Sequence, residues 1–363
     1  MKSKRVAVAM SGGVDSSVAA ALLLEQGYEV VGFTMQIWPR EVAEKTPAGM
    51  RGGCGLEAVS DARRVARALG IRHYVLNLRE AFQRLVIDPF CEEYARGRTP
   101  NPCIRCNTYV KFGALLERAR EIGASQLATG HYARVGFDEE CGRWALGRAV
   151  DKAKDQSYSL YDLRQEHLAR ARFPLGGMRK SETRGRAAKL GLVVANKPDS
   201  QEICFVSSGR YGDYLRRVRP ETARSGPIVD RQGRQLGRHR GIAFYTVGQR
   251  HGLRVAGKKA LYVVDIDAEH DRLVVGGEED LKSRELTMRE VNYVSLDRLP
   301  EGGKKLRAKI RYGARPASCT AFAEDGGVRL RFARRQRAVA PGQAAVCYEG
   351  DTVALGGIID TAW

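Results

Sequence analysis

The sequence predicts an α/β protein: a Rossmann-like doubly wound parallel sheet, followed by a small β-rich central domain and a C-terminal β-barrel. In the first half, short apolar runs alternate with helical periods, the pattern of strands joined by crossover helices. Beyond about residue 210 turn-punctuated alternating segments take over, and from about 281 every segment reads as strand. The expected boundaries are 1–208, 209–280 and 281–363. A chain of 363 residues can bury a sizeable core in two or three domains. No run approaches the roughly 20 apolar residues of a membrane span, and Met1–Arg5 leads into the first strand without a signal-peptide apolar region, so a cytoplasmic location is expected.

Val6–Met10 reads as the first strand, Ser11-Gly12-Gly13 as a tight turn, and Val18–Leu24 as a helix closed at Gly27. A strand that ends in a glycine turn and opens a helix presents backbone N–H groups and a positive dipole end. That is an anion site, best suited to phosphate. Ser11, Ser16 and Ser17 add hydroxyl donors. Asp15 is the odd member, because a carboxylate beside phosphates calls for a metal such as Mg2+ between them. The plain alternative is an ordinary strand–turn–helix with a serine cap; neither a Walker ending nor GxGxxG is present. The whole SGGVDSS pattern resembles the pyrophosphate loop (PP-loop) of ATP pyrophosphatases, which cleave ATP to AMP and pyrophosphate while adenylating a substrate.

Glu29–Met35 reads as a second parallel strand, 39–55 as a mobile loop, 56–69 as a helix ended by Gly70, and His73–Leu78 as a third strand. Ligands then lie at the carboxyl ends of the strands. Met35 falls there, where it could pack on an adenine ring or simply fill the core. A helical pattern follows from Arg79 to Ala95. Pro100 and Pro102 then interrupt it, predicting an extended, presented loop over 97–107 before a helix restarts at Lys111. Cys103 and Cys106 sit at or just before that helix, near Arg98, Arg105 and Lys111, features that lower a thiol pKa. Half a zinc site, a redox or persulfide pair, and ligands to an iron–sulfur cluster are all open readings.

Gln126–Ala133 reads as a buried strand ending in a glycine turn, which puts His131 at the ligand edge. Residues 141–148 resemble a hairpin arm, and 181–190 a helix. Cys204 lies in a loop or short strand with Asp199 and Glu202 as its charged sequence neighbours. Arg210–Arg217 suggests a short helix, then Gly226–Asp230, Ala260–Ile266 and Leu273–Gly276 suggest strands. In Leu306–Tyr312, Val328–Phe332 and Ala344–Tyr348, apolar residues alternate with Arg and Lys, so one face meets a core and a basic face meets solvent. The formal charge of +19, from 61 Lys plus Arg against 42 Asp plus Glu, favours a polyanionic partner. The eight cysteines (54, 91, 103, 106, 141, 204, 319, 347) do not form a secreted disulfide framework: the chain is long and two of them stand as CxxC.

SGGVDSS, NPCIRCN, TGHYAR, KDQSY, Asp199-Ser200 with Ile203-Cys204-Phe205, and Gly248-Gln249-Arg250 together resemble, in the same order, the bacterial tRNA-specific 2-thiouridylases. The resemblance spans nearly the whole chain. It implies an enzyme that adenylates O2 of the wobble uridine of tRNA with ATP and then delivers sulfur from a cysteine persulfide. By position it assigns ATP to Ala9, Met10, Ser11, Gly12, Gly13, Val14, Asp15, Ser16, Ser17, Met35 and Gly130. It makes Cys204 the persulfide carrier and Cys106 the nucleophile that can form a disulfide with it, with Asp15 serving the ATP chemistry. Asn101, Pro102 and Cys103 match the target-base segment; His131, Lys154, Asp155, Gln156, Arg311, Tyr312 and Gln343 match other tRNA contacts. Some members carry Asp where Cys103 stands. With Cys103, Cys106 and Cys204 all present, three thiolates could hold a 4Fe–4S cluster, and the persulfide and cluster routes both stay open. The resemblance implies a sulfur-donor protein as a second partner and a monomeric chain. Two other functions are consistent with parts of the sequence: a PP-loop ligase or amidotransferase acting on a small metabolite, and a non-catalytic RNA-binding protein.

Overall fold

The structure, a computed structural model, describes residues 5–38, 56–199, 203–206, 211–255 and 260–363. The loop read over 39–55, Cys54, Ser200 and Glu202 lie outside the described residues. Two compact units emerge: Met1–Val86 with Cys103–Gly209 and Asp351–Val353, and Ile87–Pro102 with Arg210–Gly350 and Ala354–Trp363.

The first unit is built on a parallel sheet of five strands in the order β3-β2-β1-β4-β7. Its strands are β1 (Arg5–Ala9), β2 (Glu29–Gln36), β3 (Arg72–Asn77), β4 (Gln126–Ala128) and β7 (Ala171–Arg172). Helices α1 (Val14–Glu25) and α2 (Leu56–Ala68) make the first crossovers. Val6 and Val8 of β1 pack with Val18 and Leu23 of α1 and Val65 of α2 in one buried cluster, each such side chain worth roughly 1.5–3 kcal/mol. Chain order reverses at β1, which lies between β2 and β4. This is the switch point of an open parallel sheet, where a crevice forms outside the strand ends. The expected hairpin is β5 (Ala133–Asp138) against β6 (Arg143–Arg148).

Three expectations change here. The strand read over 126–133 ends at Ala128, so Gly130 and His131 sit in the loop before β5. The 79–95 pattern is helical as α3 (Arg79–Phe82), a π-helical turn (Gln83–Ile87) and α4 (Asp88–Ala95). Pro89 supplies no N–H to the Leu85 carbonyl four residues back, and Arg105 Nε donates to that carbonyl at 2.8 Å instead. The extended loop over 97–107 ends early, because α5 (Pro102–Arg105) begins on its second proline and a π-helical stretch (Cys106–Leu115) continues it. Proline at the first helical position lacks only an N–H that would be unpaired anyway.

In the second unit, a sheet of four strands has the order β10-β11-β8-β9. It comprises β8 (Pro227–Asp230), β9 (Gln235–Arg238), β10 (Tyr262–Asp267) and β11 (Arg272–Gly276). The C-terminal strands β12 (Lys282–Tyr293), β13 (Lys304–Lys309), β14 (Ala317–Glu324), β15 (Gly327–Arg337), β16 (Ala344–Glu349) and β17 (Thr352–Ala362) run β12-β15-β14-β13-β16-β17. Pairing of β12 with β17 closes them into a barrel. Val328, Leu330 and Phe332 point into its core while Arg329 and Arg331 point out, the alternation read from the sequence. Many outward arginines are spent on carboxylates: Arg331 on Glu285 at 2.8 Å, Arg329 on Glu285 at 2.8 Å and Arg337 on Glu278 at 2.6 Å. Within this unit the segment leading to Asn101 is clamped. Gln343 Nε2 donates to the Thr99 carbonyl at 2.7 Å, Thr99 N donates to Pro341 O at 2.8 Å, and Arg98 pairs with Glu93 and Asp360.

Candidate functional site

The strand–turn–helix at the switch point forms the cradle. Gly12 has φ +67°, and a Cβ on it would stand 2.3 Å from the Ala58 carbonyl oxygen, so only glycine fits. Gly13, extended, caps α1 without any side-chain hydrogen bond, and the helix starts at Val14 rather than Val18. No capping side chain occupies the positive end of α1, which leaves it suited to an anion. The Ser16 and Ser17 hydroxyls turn inward, donating to the Gly13 carbonyl at 3.3 and 2.8 Å, and Ser11 N donates to Ser16 Oγ at 3.1 Å. Of the three hydroxyls only that of Ser11 belongs to an exposed residue. Ala9 closes β1, whereas Met10 is buried with its N–H on the Phe33 carbonyl at 2.7 Å. Met35 is buried near the end of β2.

Asp15, in the first turn of α1, meets a cation already. Lys180 Nζ lies 2.7 and 2.8 Å from its two oxygens, and the Tyr132 hydroxyl donates to Oδ1 at 2.9 Å. Lys180 opens helix α6 (Lys180–Lys189). Its ammonium also pairs with Asp199 at 2.8 Å, and Asp199 in turn takes Lys154 at 2.8 Å and Arg184 at 3.0 Å. Burial alone would raise the Asp199 carboxyl, but the hydrogen bonds and charges of Lys154 and Lys180 outweigh it and hold it at about 2. Lys197 reaches the Gly12 carbonyl at 3.3 Å and Asp61 at 2.6 Å.

Gly130 faces this turn from the adjacent strand end. A Cβ there would stand 2.6 Å from Ser16 N and 2.7 Å from Asp15 C, both backbone atoms that cannot swing aside. Gly130→Ala is therefore expected to destabilise the fold by about 1–3 kcal/mol and to cripple nucleotide binding, checked by thermal melting and ATP equilibrium dialysis.

His131 Nδ1 and Thr129 Oγ1 are 2.7 Å apart, and Lys111 Nζ lies 3.4 Å from Nε2. Packing around the ring, then the Lys111 charge, push it well below the ordinary histidine range, so the ring is neutral at pH 7. Because an ammonium can only donate, Nε2 is the acceptor and Nδ1–H points to Thr129. Lys111 also donates to Asn107 Oδ1 at 2.8 Å.

Cys103 is exposed, while Cys106 and Cys204 are half-buried. The expected lowering of the Cys103 thiol is not found. Although the residue as a whole is exposed, desolvation by the atoms packed about its sulfur pushes the thiol up, and the Lys111 charge offsets this only in part. Cys106 follows Arg105, whose guanidinium is anchored on Leu85 O, and Cys204 precedes Phe205, whose ring packs edge-on against Phe82 at 5.7 Å. Both cysteine-bearing segments thus lean on the 79–86 run.

The remaining sequence-selected residues separate. Lys154 joins the Asp199 network. Asp155 is buried on Arg148 and on the Ala149 and Ser157 N–H groups, at 3.1, 3.2 and 3.2 Å. The Gln156 side-chain oxygen accepts from Tyr132 N at 3.0 Å. In the second unit, Arg311 and Tyr312 lie in the turn after β13 rather than on a strand, and both are exposed. Arg311 donates to the Arg337 carbonyl at 3.1 Å. Asn101 and Pro102 follow the Thr99 clamp, of which Gln343 is part. Sequence reasoning missed Tyr132, Lys180 and Lys197. Lys180 carried a signal, since a lysine at a helix N-terminus opposes the dipole.

Among the described residues no group of three His, Cys, Asp or Glu side chains could hold a metal ion. Asp15 offers a single carboxylate, with Lys180 and Tyr132 on its oxygens.

Residues 4–208 match the family described as tRNA methyl transferase HUP domain, 212–277 the tRNA methyl transferase PRC-barrel domain, and 283–359 the aminomethyltransferase β-barrel domain. The chain is 50% identical over 360 residues to the tRNA-specific 2-thiouridylase MnmA of Acetivibrio thermocellus, covering 99% of this chain and 100% of that one. It is 52% identical over 355 residues to the MnmA of Moorella thermoacetica, covering 98% and 99%. Among solved structures, a 4-thiouridine synthetase–RNA complex with bound ATP aligns with TM-score 0.36 and 18% identity over 60% of this chain and 51% of that one.

Proposed function

The chain belongs to the tRNA-specific 2-thiouridylase family, and from that membership we infer that it catalyses ATP-dependent 2-thiolation of a uridine in tRNA. The observation in the molecule that carries this reading is the glycine cradle at the start of α1, closed by Gly12 and Gly130 at the switch point of the sheet. The substrate is the wobble uridine. Its O2 attacks the α-phosphorus of ATP, pyrophosphate leaves, and C2 becomes bonded to a good leaving group, AMP. The terminal sulfur of a persulfide on Cys204 attacks C2 and expels AMP. The Cys106 thiolate then attacks Cys204 Sγ, which forms the Cys106–Cys204 disulfide and leaves the sulfur on C2.

Mg2+ enters as the counter-ion of ATP, with Asp15 as the carboxylate that would face it. The persulfide route draws on Cys106 and Cys204 alone, and no step in it runs through a cluster. A persulfide-carrying protein supplies the sulfur to a monomeric, cytoplasmic chain. No helix among the described residues is long and apolar enough to cross a membrane. The matched family segments support a three-domain division at 208 and 280. Asn101, Pro102 and Cys103 meet the target base, and His131, Lys154, Asp155, Gln156, Arg311, Tyr312 and Gln343 meet other parts of the tRNA.

Incubation with ATP, unmodified tRNA and a persulfide donor, followed by nucleoside mass spectrometry, is the direct test. Pyrophosphate is expected only when tRNA is present, together with 2-thiouridine. A metabolite ligase would release pyrophosphate without tRNA, and a binding protein none at all. Affinity for tRNA should also fall steeply with salt, because cations on the protein release counterions from the RNA. Arg311→Glu should weaken it further, by about tenfold, and flatten the salt slope by about one contact, as read by filter binding. Wild-type affinity in that variant would mean Arg311 is only solvated.

A further inference from the structure

We propose that Lys180 is a substrate-contacting residue of the adenylation step, the protein's own cation for the pyrophosphate half of ATP. The proposal rests on the phosphate-cradle reading above and adds a residue to it. A carboxylate at the mouth of an anion site should repel phosphate, and Asp15 stands in the first turn of α1, where the anion would sit. Lys180 resolves that conflict. Its ammonium lies 2.7 and 2.8 Å from the two Asp15 oxygens and 2.8 Å from Asp199, so the pair links the first turns of α1 and α6. Lysine at a helix start works against the local dipole, and such a local conflict marks a site where another demand prevails.

The surroundings locate the ammonium. Lys180 N is anchored on Asp151 at 3.0 Å, and the Tyr132 ring lies 5.7 Å from Nζ. Only 11% of the Lys180 side chain is exposed, whereas 31% of the Asp15 side chain is. Asp199 keeps Lys154 at 2.8 Å and Arg184 at 3.0 Å if Lys180 turns from it. Arg64, Lys154, Lys180, Arg184 and Lys197 oppose Asp15, Asp61, Asp151 and Asp199, which leaves one net positive charge for an incoming anion.

In adenylation the bond from the α-phosphorus to the bridging oxygen breaks, and its electron pair goes to the departing pyrophosphate. A preorganised cation at that oxygen is worth most when the charge develops. The partner of Lys180 on ATP is therefore the β,γ part rather than the α-phosphate, and AMP should not engage it.

Equilibrium dialysis of ATP and of AMP against wild type, Lys180→Met and Lys180→Gln separates the possibilities. Both variants are expected to weaken ATP binding by about tenfold or more and to leave AMP binding within about twofold. Pyrophosphate release on adding tRNA should fall by about a hundredfold. Lys180→Arg, which keeps the charge, should retain the preference for ATP over AMP. Wild-type ATP binding in Lys180→Gln, or equal loss of ATP and AMP, would overturn the assignment, the latter by making Lys180 a support of the fold alone. Wild-type protein that binds neither nucleotide would bring down the cradle reading itself.

Discussion

Asp15→Asn is expected to lose pyrophosphate release by about two to three orders of magnitude while binding tRNA with wild-type affinity. Asparagine keeps the shape of the side chain and removes its charge. The Lys180 ammonium, mostly buried, then has Asp199 as its remaining carboxylate, and the Tyr132 hydroxyl donates to a neutral oxygen. A cation held at 2.7 and 2.8 Å by two carboxylate oxygens is aimed; one held on a single side is not. The loss should fall on turnover rather than on ATP affinity, because an ammonium released from Asp15 can still attract phosphate. Pyrophosphate release measured with saturating tRNA, alongside filter binding of the same tRNA, checks both halves. Near-normal release would show that the carboxylate does not organise the cradle.

Much of the first unit was legible because parallel strands buried on both faces leave plain apolar runs. Val6–Val8 and Val30–Phe33 are such runs, and the glycines between strand and helix mark the ligand edge. The position of Gly130 against α1 follows from β4 lying beside β1, which the local sequence does not reveal. The proline pair at 100 and 102 was read as breaking helix, although proline at a first helical position permits it. Barrel alternation was plain in Val328, Leu330 and Phe332. What could not be read was that Arg331 stands opposite Glu285 in the β12–β15 register, so part of the basic wall is neutralised. The Asp15–Lys180–Tyr132 group was hidden for the same reason, since 165 positions separate the aspartate from the lysine.

Cys106→Ser and Cys204→Ser are each expected to abolish 2-thiouridine formation, by about a thousandfold or more, and to leave tRNA-dependent pyrophosphate release intact. Serine fills the space of cysteine but can neither carry a persulfide nor attack one. Adenylation is separable because the cradle of Gly12, Gly13 and Gly130 contains no cysteine. The two thiols must come within about 7 Å, Cα to Cα, for the disulfide to form. Their flanking anchors, Arg105 on Leu85 and Phe205 on Phe82, rest on the same run of helix. Asp199, an unfavourable sequence neighbour for a Cys204 thiolate, is paired with Lys154, Lys180 and Arg184, which offsets its repulsion. That pairing ties Asp199 to Lys180 and through it to Asp15. Mild oxidation of the wild type should link the peptides bearing residues 106 and 204, detected by mass spectrometry. If either single variant still thiolates tRNA, sulfur travels by another path.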